Sequence, residues 1–308
     1  MKRLNAQVPA SVVLIRPHNF SPNSETMSDN VFQTSCAGLD KDILARAAYE
    51  EVTKAAEKLT AHGITPHIFE DETKNTPDSV FPNNWFSTHG GGHVALYPMY
   101  AANRRNERRP DIIEMLKQQY RVQDVIDYSG LEQDDIFLEG TGAMVLDHLD
   151  RVAYAVNSNR CNPVALERFC THFNYEPMVF DARDRNEISV YHTNVLMCIA
   201  TDYVLIGLQM ISSAQRREEI IKRFEDTGRT VIDLSHEQIE NFAGNAIELQ
   251  GKKGRILALS TRAYNSLKPD QINIIEQSAT LLPLNVPTIE MAGGSVRCMM
   301  AGIHLSKR

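Results

Sequence analysis

The chain has 308 residues, 43% hydrophobic and 23% charged, which is the composition of a folded globular protein with a large core. The formal net charge is −7, with no long run of one sign, so neither nucleic acid nor an anionic membrane is the expected partner. No apolar run is long enough to span a membrane. The five cysteines form no C-x-x-C pair, which argues against a disulfide framework or a zinc finger and favours a reducing, cytoplasmic location.

Strand-like segments recur along the chain, mostly as pairs that flank a turn. Apolar pairs separated by Gly, Asp or Lys-Gly turns are typical of β-hairpins. The segments are residues 11–17, 79–87 with 93–98 across a Gly triplet, 135–156, 190–208, 242–260 and 294–305. Residues 19–37 are rich in Ser, Asn and Thr, and this irregular stretch is predicted to be a lid over a site.

Helix-like segments lie between these pairs. Apolar residues at helical spacing predict helices over 39–62, 108–120, 162–171, 213–226 and 270–281. Gly63 ends the first of them, and Pro163 suits the first position of the third. The hairpins recur roughly every 50 residues, a period typical of repeat architectures. The sequence therefore predicts an α/β fold in which residues 1–308 form one domain of five ββαβ units around a pseudo-fivefold axis.

Three residues suggest covalent catalysis. Cys298 follows the Gly pair of "GGSVRC", where a ligand can approach closely, and a thiol needs a helper to act as a nucleophile at neutral pH. His192 is placed at the start of a strand, and Glu139 at the end of one, before Gly140. Each of these residues alone is more often structural than catalytic. Together with Asn84, however, they occupy corresponding ends of successive units, which a fivefold arrangement would bring to one axis.

These motifs resemble the guanidine-modifying superfamily, whose members share the pentein α/β-propeller fold. The superfamily includes arginine deiminases, dimethylarginine dimethylaminohydrolases and amidinotransferases. The resemblance covers nearly the whole chain and rests on "FPNNWF", "NRRNER", "LEGTG", "SNRCN", "YHTN" and "GGSVRC" in the family's order. The segments "RPHNFSPNSETMSDNVFQ" and "FPNNWFSTHGGGHVALYPM" are most similar to the branch of citrulline utilization hydrolases, or citrulline ureidases.

The resemblance implies a role for each matched residue. Cys298 matches the nucleophile, His192 the general acid/base, and Glu139 the acid that orients the histidine and contacts the substrate. Arg104 and Arg160 match arginines that grip the amino-acid end of the substrate. No metal or cofactor is implied, and the sequence contains no dinucleotide or P-loop motif.

Two departures from the family pattern concern the substrate. Asn84 and Asn194 stand where arginine deiminases have aspartates, and an amide cannot supply the charge that a guanidinium requires. An amide both donates and accepts hydrogen bonds, as a neutral ureido group does. The departures therefore predict hydrolysis of citrulline to ornithine, carbon dioxide and ammonia. The alternatives are an arginine deiminase, a dimethylarginine dimethylaminohydrolase-like hydrolase or an amidinotransferase.

Two hypotheses from other functional classes stay open. His89 and His93 flank the Gly triplet and could serve a metal-dependent hydrolase, although their spacing suits a helix better than this Gly-rich hairpin. A non-catalytic amino-acid-binding protein is the other, but such a protein needs no nucleophile. The expected partner is a small amino-acid substrate, and the sequence leaves open a homodimer and a ligand contact by Asn30 or Gln33 in the lid.

Overall fold

The computed structural model describes residues 7–27, 30–34 and 38–308. Over these residues, fifteen strands form five three-stranded sheets. The strands are β1 Ser11–Pro17, β2 Thr65–Asp71, β3 Phe86–His89, β4 His93–Leu96, β5 Asp124–Asp127, β6 Met144–Asp147, β7 Val152–Val156, β8 Glu176–Phe180, β9 Met197–Ile199, β10 Tyr203–Ile206, β11 Thr230–Asp233, β12 Ile247–Gly251, β13 Gly254–Ser260, β14 Ala279–Leu284 and β15 Ala301–Gly302.

Helices connect or precede these strands. The α-helices are α1 Lys41–Ala61, α2 Pro110–Gln119, α3 Gly140–Ala143, α4 Pro163–Phe173, α5 Ala214–Asp226, α6 His236–Glu240, α7 Thr261–Ser266, α8 Pro269–Glu276 and α9 Pro287–Glu290. Short 3₁₀ helices span Pro82–Asn84, Ala102–Glu107, Ser129–Asp134, Thr193–Val195 and Leu208–Met210. None of the helices in the described ranges is both long enough and apolar enough to cross a membrane.

Every sheet has the same topology. Two strands pair antiparallel, and the third strand lies parallel to one of them after a helical crossover, as in β3-β4-α2-β5. The same order occurs in the sheets of β6-β7-β8, β9-β10-β11 and β12-β13-β14. The fifth sheet combines the two chain ends, because β15 pairs antiparallel with β1, and β1 is parallel to β2. The predicted five ββαβ units are thus present as a mixed α/β fold.

Local sequence explains where the main helices begin and end. The side chain of Asp40 caps α1, accepting from the backbone N–H groups of residues 42 and 43. Asn162 caps α4 immediately before Pro163, and Asn174 ends that helix in the left-handed conformation. Ser213 caps α5 in the same manner. The sheets are buried, and every residue of β6, β7 and β10 is shielded from solvent.

Several predicted strands and one helix are shorter than expected. The helix predicted over 270–281 ends at Glu276, and Ala279–Leu284 is instead the strand β14. Of residues 294–305 only Ala301–Gly302 is strand, and of residues 79–87 only the last two are. In both places the chain first makes a tight helical turn, which a pattern of apolar residues does not reveal. For the same reason His192 precedes a 3₁₀ turn rather than starting a strand.

Candidate active site

One structural feature repeats in all five units and builds the site. In each sheet a tight turn precedes one strand of the antiparallel pair: Pro82–Asn84 before β3, α3 before β6, Thr193–Val195 before β9, residues 241–244 before β12 and residues 296–299 before β15. These turns carry Asn84, Glu139, His192, Asn245 and Cys298, either within the turn or directly beside it. Asn84, His192 and Cys298 line one pocket. The structure therefore brings together the residues that the sequence placed at corresponding ends of the units.

Cys298 is buried and receives two hydrogen bonds at its sulfur. The amide Nδ2 of Asn194 and that of Asn245 each lie 3.2 Å from Sγ. Cys298 is 4% exposed and faces the pocket, which also includes Gly293 and Gly294. An N–H donor to sulfur stabilises the thiolate relative to the thiol, because a hydrogen bond to a charged acceptor is stronger than one to a neutral acceptor.

Asn245 is a site residue that the sequence analysis missed. Its Oδ1 accepts from the backbone N–H groups of Arg297 and Cys298, and its Nδ2 donates to the carbonyl of Asn194 as well as to the sulfur. The residue is completely buried. A signal for it was present, because "FPNN" and "FAGN" share a Phe-x-x-Asn spacing that puts Asn84 and Asn245 at equivalent places in two units.

His192 and Glu139 form a buried pair. His192 Nε2 lies 2.7 Å from Glu139 Oε2, and Glu139 also accepts from the backbone N–H of Tyr100 at 3.0 Å. Burial by itself would raise the pKa of Glu139, but Arg160, His192 and Arg104 hold it well below its usual range. Burial lowers the pKa of His192, and Glu139 opposes that shift. Glu139 is therefore an anion that fixes the orientation of the ring.

Arg104 is buried at the site and lines the same pocket. It is 2% exposed, and its Nε and Nη2 bond both carboxylate oxygens of Glu107 at 3.0 and 2.9 Å. Nη2 also donates to Asn84 Oδ1 at 3.2 Å, and Nη1 lies 3.8 Å from Glu139. Burial favours the neutral form, yet Glu107, Asp78 and Glu139 raise the pKa of Arg104 above its usual value. Arg104 is therefore a buried cation that also holds Asn84.

Arg160 is equally buried and approaches the same oxygen of Glu139 as Arg104 does. Its Nη1 is 3.4 Å from Glu139 Oε2, and its guanidinium stacks 4.8 Å above the Tyr191 ring. The hydroxyl of Tyr191 donates to the carbonyl of Gly293 at 3.0 Å, which ties this stack to the segment before Cys298. The Arg160 residue is 1% exposed, so this ion pair with Glu139 is buried.

Asp78 and Glu107 are further buried acids that the sequence analysis missed. Asp78 Oδ2 accepts from Asn23 and lies 3.7 Å from Arg104 Nε, while no partner for Oδ1 is present among the described residues. Burial raises the pKa of Asp78, and Arg104 opposes the rise. Burial also raises the pKa of Glu107, to about 8, against the attraction of Arg104. Neither acid lies on a strand or a periodic helix, so hydrophobic patterning gives no signal for them.

The two glycines after Glu139 support Asn84 by close contact. Gly140 has φ +46°, and a Cβ there would lie 2.5 Å from the carbonyl oxygen of Asn83. A Cβ on Gly142 would lie 2.1 Å from Asn84 Nδ2 and 3.0 Å from the His192 ring. The motif "GTG" thus leaves room for the asparagine turn and the histidine to meet.

Part of the predicted lid contacts the pocket. Thr26 and Asn30 line it, and Asn30 Nδ2 donates to the carbonyl of Ala292 at 3.2 Å. Gln33 forms an isolated bridge with Ala292 and donates to the carbonyl of Asn23. Of the predicted lid, residues 28–29 and 35–37, including Cys36, lie outside the described residues. The described lid residues lie against the segment that leads to the nucleophile.

The histidines of the Gly-rich hairpin have other partners. His89 is buried at the end of β3, with Nε2 2.7 Å from Ser87 Oγ, and burial lowers its pKa well below the usual range. His93 Nδ1 pairs with Asp124 at 2.8 Å. Within residues 7–27, 30–34 and 38–308, no group of three His, Cys, Asp or Glu residues could hold a metal ion. Burial raises the pKa of Cys161, Cys170 and Cys198 to about 12.

Comparison of the fold finds pentein structures that cover most of this chain. The N-terminal domain of ArgZ, an arginine dihydrolase from the ornithine-ammonia cycle in cyanobacteria, was solved with substrate. It is 17% identical over 95% of this chain and 97% of its own, with a TM-score of 0.73. A mutant of AgrE with L-arginine gives 17% identity and a TM-score of 0.74, covering 97% of this chain and 40% of that one.

A third solved structure is DDAH from Pseudomonas aeruginosa, a mutant complexed with citrulline. It is 14% identical, with a TM-score of 0.63 over 96% of this chain and 99% of its own. This chain thus spans about 40% of the AgrE chain but nearly all of the DDAH chain. At these identities the likeness concerns the fold.

A family model matches almost the whole sequence. The model is described as "N,N dimethylarginine dimethylhydrolase, eukaryotic", and it matches residues 16–305. No curated protein matches the chain significantly. The chain belongs to the N,N-dimethylarginine dimethylhydrolase family.

Proposed function

We propose that the protein is a hydrolase that cleaves a neutral ureido amino acid, citrulline, through a covalent intermediate on Cys298. One observation carries the choice of substrate. Asn84 Nδ2 and Asn194 Oδ1 are buried at the site, and neither has a hydrogen-bond partner among the described residues. They offer one donor and one acceptor. A ureido group matches both, because its carbonyl accepts and its N–H groups donate, whereas a guanidinium can only donate.

The charges around the pocket support a substrate with an uncharged reacting group. Glu139 already faces Arg160 and Arg104, and Glu107 is bonded by Arg104. A guanidinium would therefore compete with the protein's own cations for these carboxylates. The same arginines suit the α-carboxylate of an amino acid, and the unpaired Asp78 Oδ1 suits its α-ammonium group.

The proposed reaction has two steps. The Cys298 thiolate attacks the ureido carbon, the bond from that carbon to the δ-nitrogen breaks, and protonated His192 gives its proton to the departing nitrogen, which releases ornithine. Water then attacks the S-carbamoyl intermediate, and His192 takes a proton from that water as the C–S bond breaks. The carbamate released decays to carbon dioxide and ammonia. Glu139 holds the ring and stabilises its protonated form throughout.

Arginine is the second candidate substrate, and one observation favours it. The guanidinium of Arg104 lies among Asp78, Glu107 and Glu139, so this part of the chain can surround a guanidinium with carboxylates. ArgZ, a neighbour in fold, is named an arginine dihydrolase. Hydrolysis of arginine to citrulline or to ornithine is therefore the reaction to test against the proposal, together with hydrolysis of methylated arginine.

Product analysis distinguishes these substrates. Purified protein is given citrulline, arginine or dimethylarginine, and ornithine, citrulline and ammonia are measured. The proposal expects ornithine and ammonia from citrulline and at most slow turnover of the other two. Citrulline accumulating from arginine or dimethylarginine, with citrulline itself unreacted, would overturn it. Cys298→Ser should abolish turnover, and Cys170→Ser, a buried cysteine in α4, is the matched control.

Four broader features of the protein are proposed as well. We infer that the five sheets close into a propeller, since β15 and β1 place both chain ends in one sheet. We propose that residues 1–308 form a single catalytic domain of the citrulline ureidase branch. A cytoplasmic location and a homodimer are also proposed, and sedimentation of the purified protein tests the homodimer.

A further inference from the structure

We infer that Asn245 and Asn194 form an amide cradle that holds the sulfur of Cys298 as a thiolate in the free protein. This inference rests on the proposed function only in taking Cys298 as the nucleophile. Within the described residues no hydrogen bond joins Cys298 to His192, whose Nε2 is occupied by Glu139. The groups that contact the sulfur are instead the two amide donors, each at 3.2 Å.

The orientation of the Asn245 amide is fixed by its surroundings. Its Oδ1 accepts from two backbone N–H groups, those of Arg297 at 3.1 Å and Cys298 at 3.3 Å. An amide turned the other way would place its NH₂ group against those two donors. Nδ2 must therefore face the sulfur, so its donation is enforced by the turn that carries the nucleophile.

Asn194 adds a second donor at the position where arginine deiminases have an aspartate. A carboxylate at that place could only accept hydrogen bonds, and its charge would repel a thiolate 3.2 Å away. A guanidinium substrate could offset that repulsion with its own positive charge, but a ureido substrate has none. An uncharged donor at residue 194 therefore lets the sulfur ionise without help from the substrate.

The rate of alkylation of Cys298 by iodoacetamide tests the cradle directly. The thiolate displaces iodide, so the rate follows the ionised fraction, and mass spectrometry of the peptide with Cys298 separates it from the other cysteines. The rate is measured from pH 5 to pH 10 on the wild type, Asn245→Ala, Asn194→Ala and His192→Gln. Asn241→Ala is the matched control, since this partly exposed side chain bonds only Glu237 and Arg262 in the described structure.

The cradle predicts that either site asparagine variant lowers the rate at pH 7 by roughly tenfold or more, because one hydrogen bond to a charged group is lost. The midpoint of the pH–rate curve should move upward, while the plateau at high pH stays the same. Asn241→Ala should stay within about twofold of the wild type, and His192→Gln should move the midpoint less than either site asparagine variant. Unchanged midpoints in both asparagine variants, or a larger movement in His192→Gln, would overturn the inference.

The test includes a control for misfolded variants, and its result does not depend on which substrate the protein hydrolyses. Asn245→Ala also frees two backbone N–H groups, whereas the Asn194 side chain has only the sulfur as a described partner, so Asn194→Ala removes less structure. Thermal unfolding of each variant verifies that it is folded. Alkylation uses no substrate, so a shifted midpoint supports the cradle even if citrulline is not hydrolysed, and turnover of citrulline with unshifted midpoints rejects the cradle alone.

Discussion

Replacing Gly142 by alanine should disable the site through a single steric contact. The new Cβ would lie 2.1 Å from Asn84 Nδ2 and 3.0 Å from two atoms of the His192 ring. Ordinary contacts begin near 3.4 Å, so Asn84 must retreat by about 1 Å. A displacement of that size in a reacting site lowers the rate by on the order of 100-fold. Overpacking at a buried position should cost about 1–3 kcal/mol of unfolding free energy.

The assay is kcat/KM for citrulline together with urea unfolding. Gly130→Ala is the matched control, because a Cβ at Gly130 meets no atom within 4 Å and its backbone also has a negative φ. The control should keep wild-type activity and stability. If Gly142→Ala retained full activity while folded, the proposed seating of Asn84 beside His192 would be refuted.

Three further predictions concern substrate preference, binding and pH. Asn84→Asp puts a carboxylate beside Arg104, and we expect the ratio of kcat/KM for arginine to kcat/KM for citrulline to rise by about tenfold or more. An unchanged ratio would count against Asn84 as the residue that determines substrate preference. Arg160→Lys loses the planar stack on Tyr191, so KM should rise by roughly tenfold with kcat little changed; a fall in kcat alone would contradict this role. Burial keeps His89 neutral in the folded protein, so only the unfolded chain takes up a proton at this residue when the pH falls from 7.5 to 5.5. That acidification should therefore lower the free energy of unfolding by about 1.4 kcal/mol. Urea unfolding of His89→Gln should show a pH dependence smaller by that amount, and an unaltered dependence would be inconsistent with a neutral His89.

Periodic patterns in the sequence predict most of the elements that the structure contains. β1 occupies the predicted residues 11–17, and the hairpins β9-β10 and β12-β13 lie within the predicted segments 190–208 and 242–260. Helix α5 begins one residue after its predicted start, because Ser213 is its cap. The tight turns before β3 and β15 were not predicted, since they are three or four residues long and have no period.

The candidate site, like the fold, could be predicted from the sequence only in part. Cys298, His192 and Glu139 were found because each follows or precedes glycine or polar motifs in separate units. Asp78 is missed, since its importance comes from burial beside Arg104, a contact across 26 positions of the chain. Hydrogen-bond direction is also invisible in the sequence, and only the structure shows that Asn245 donates to the sulfur.

The most direct test of the central claim uses citrulline labelled with ¹³C at the ureido carbon. The proposal predicts that the label appears as carbon dioxide while ornithine forms in equal amount, and that Cys298→Ser traps or stops the label. Mass spectrometry of the wild-type protein during turnover should show a carbamoyl group on Cys298. Unchanged labelled citrulline, with arginine converted by the same protein, would contradict a ureido substrate and identify the site as one for guanidino compounds.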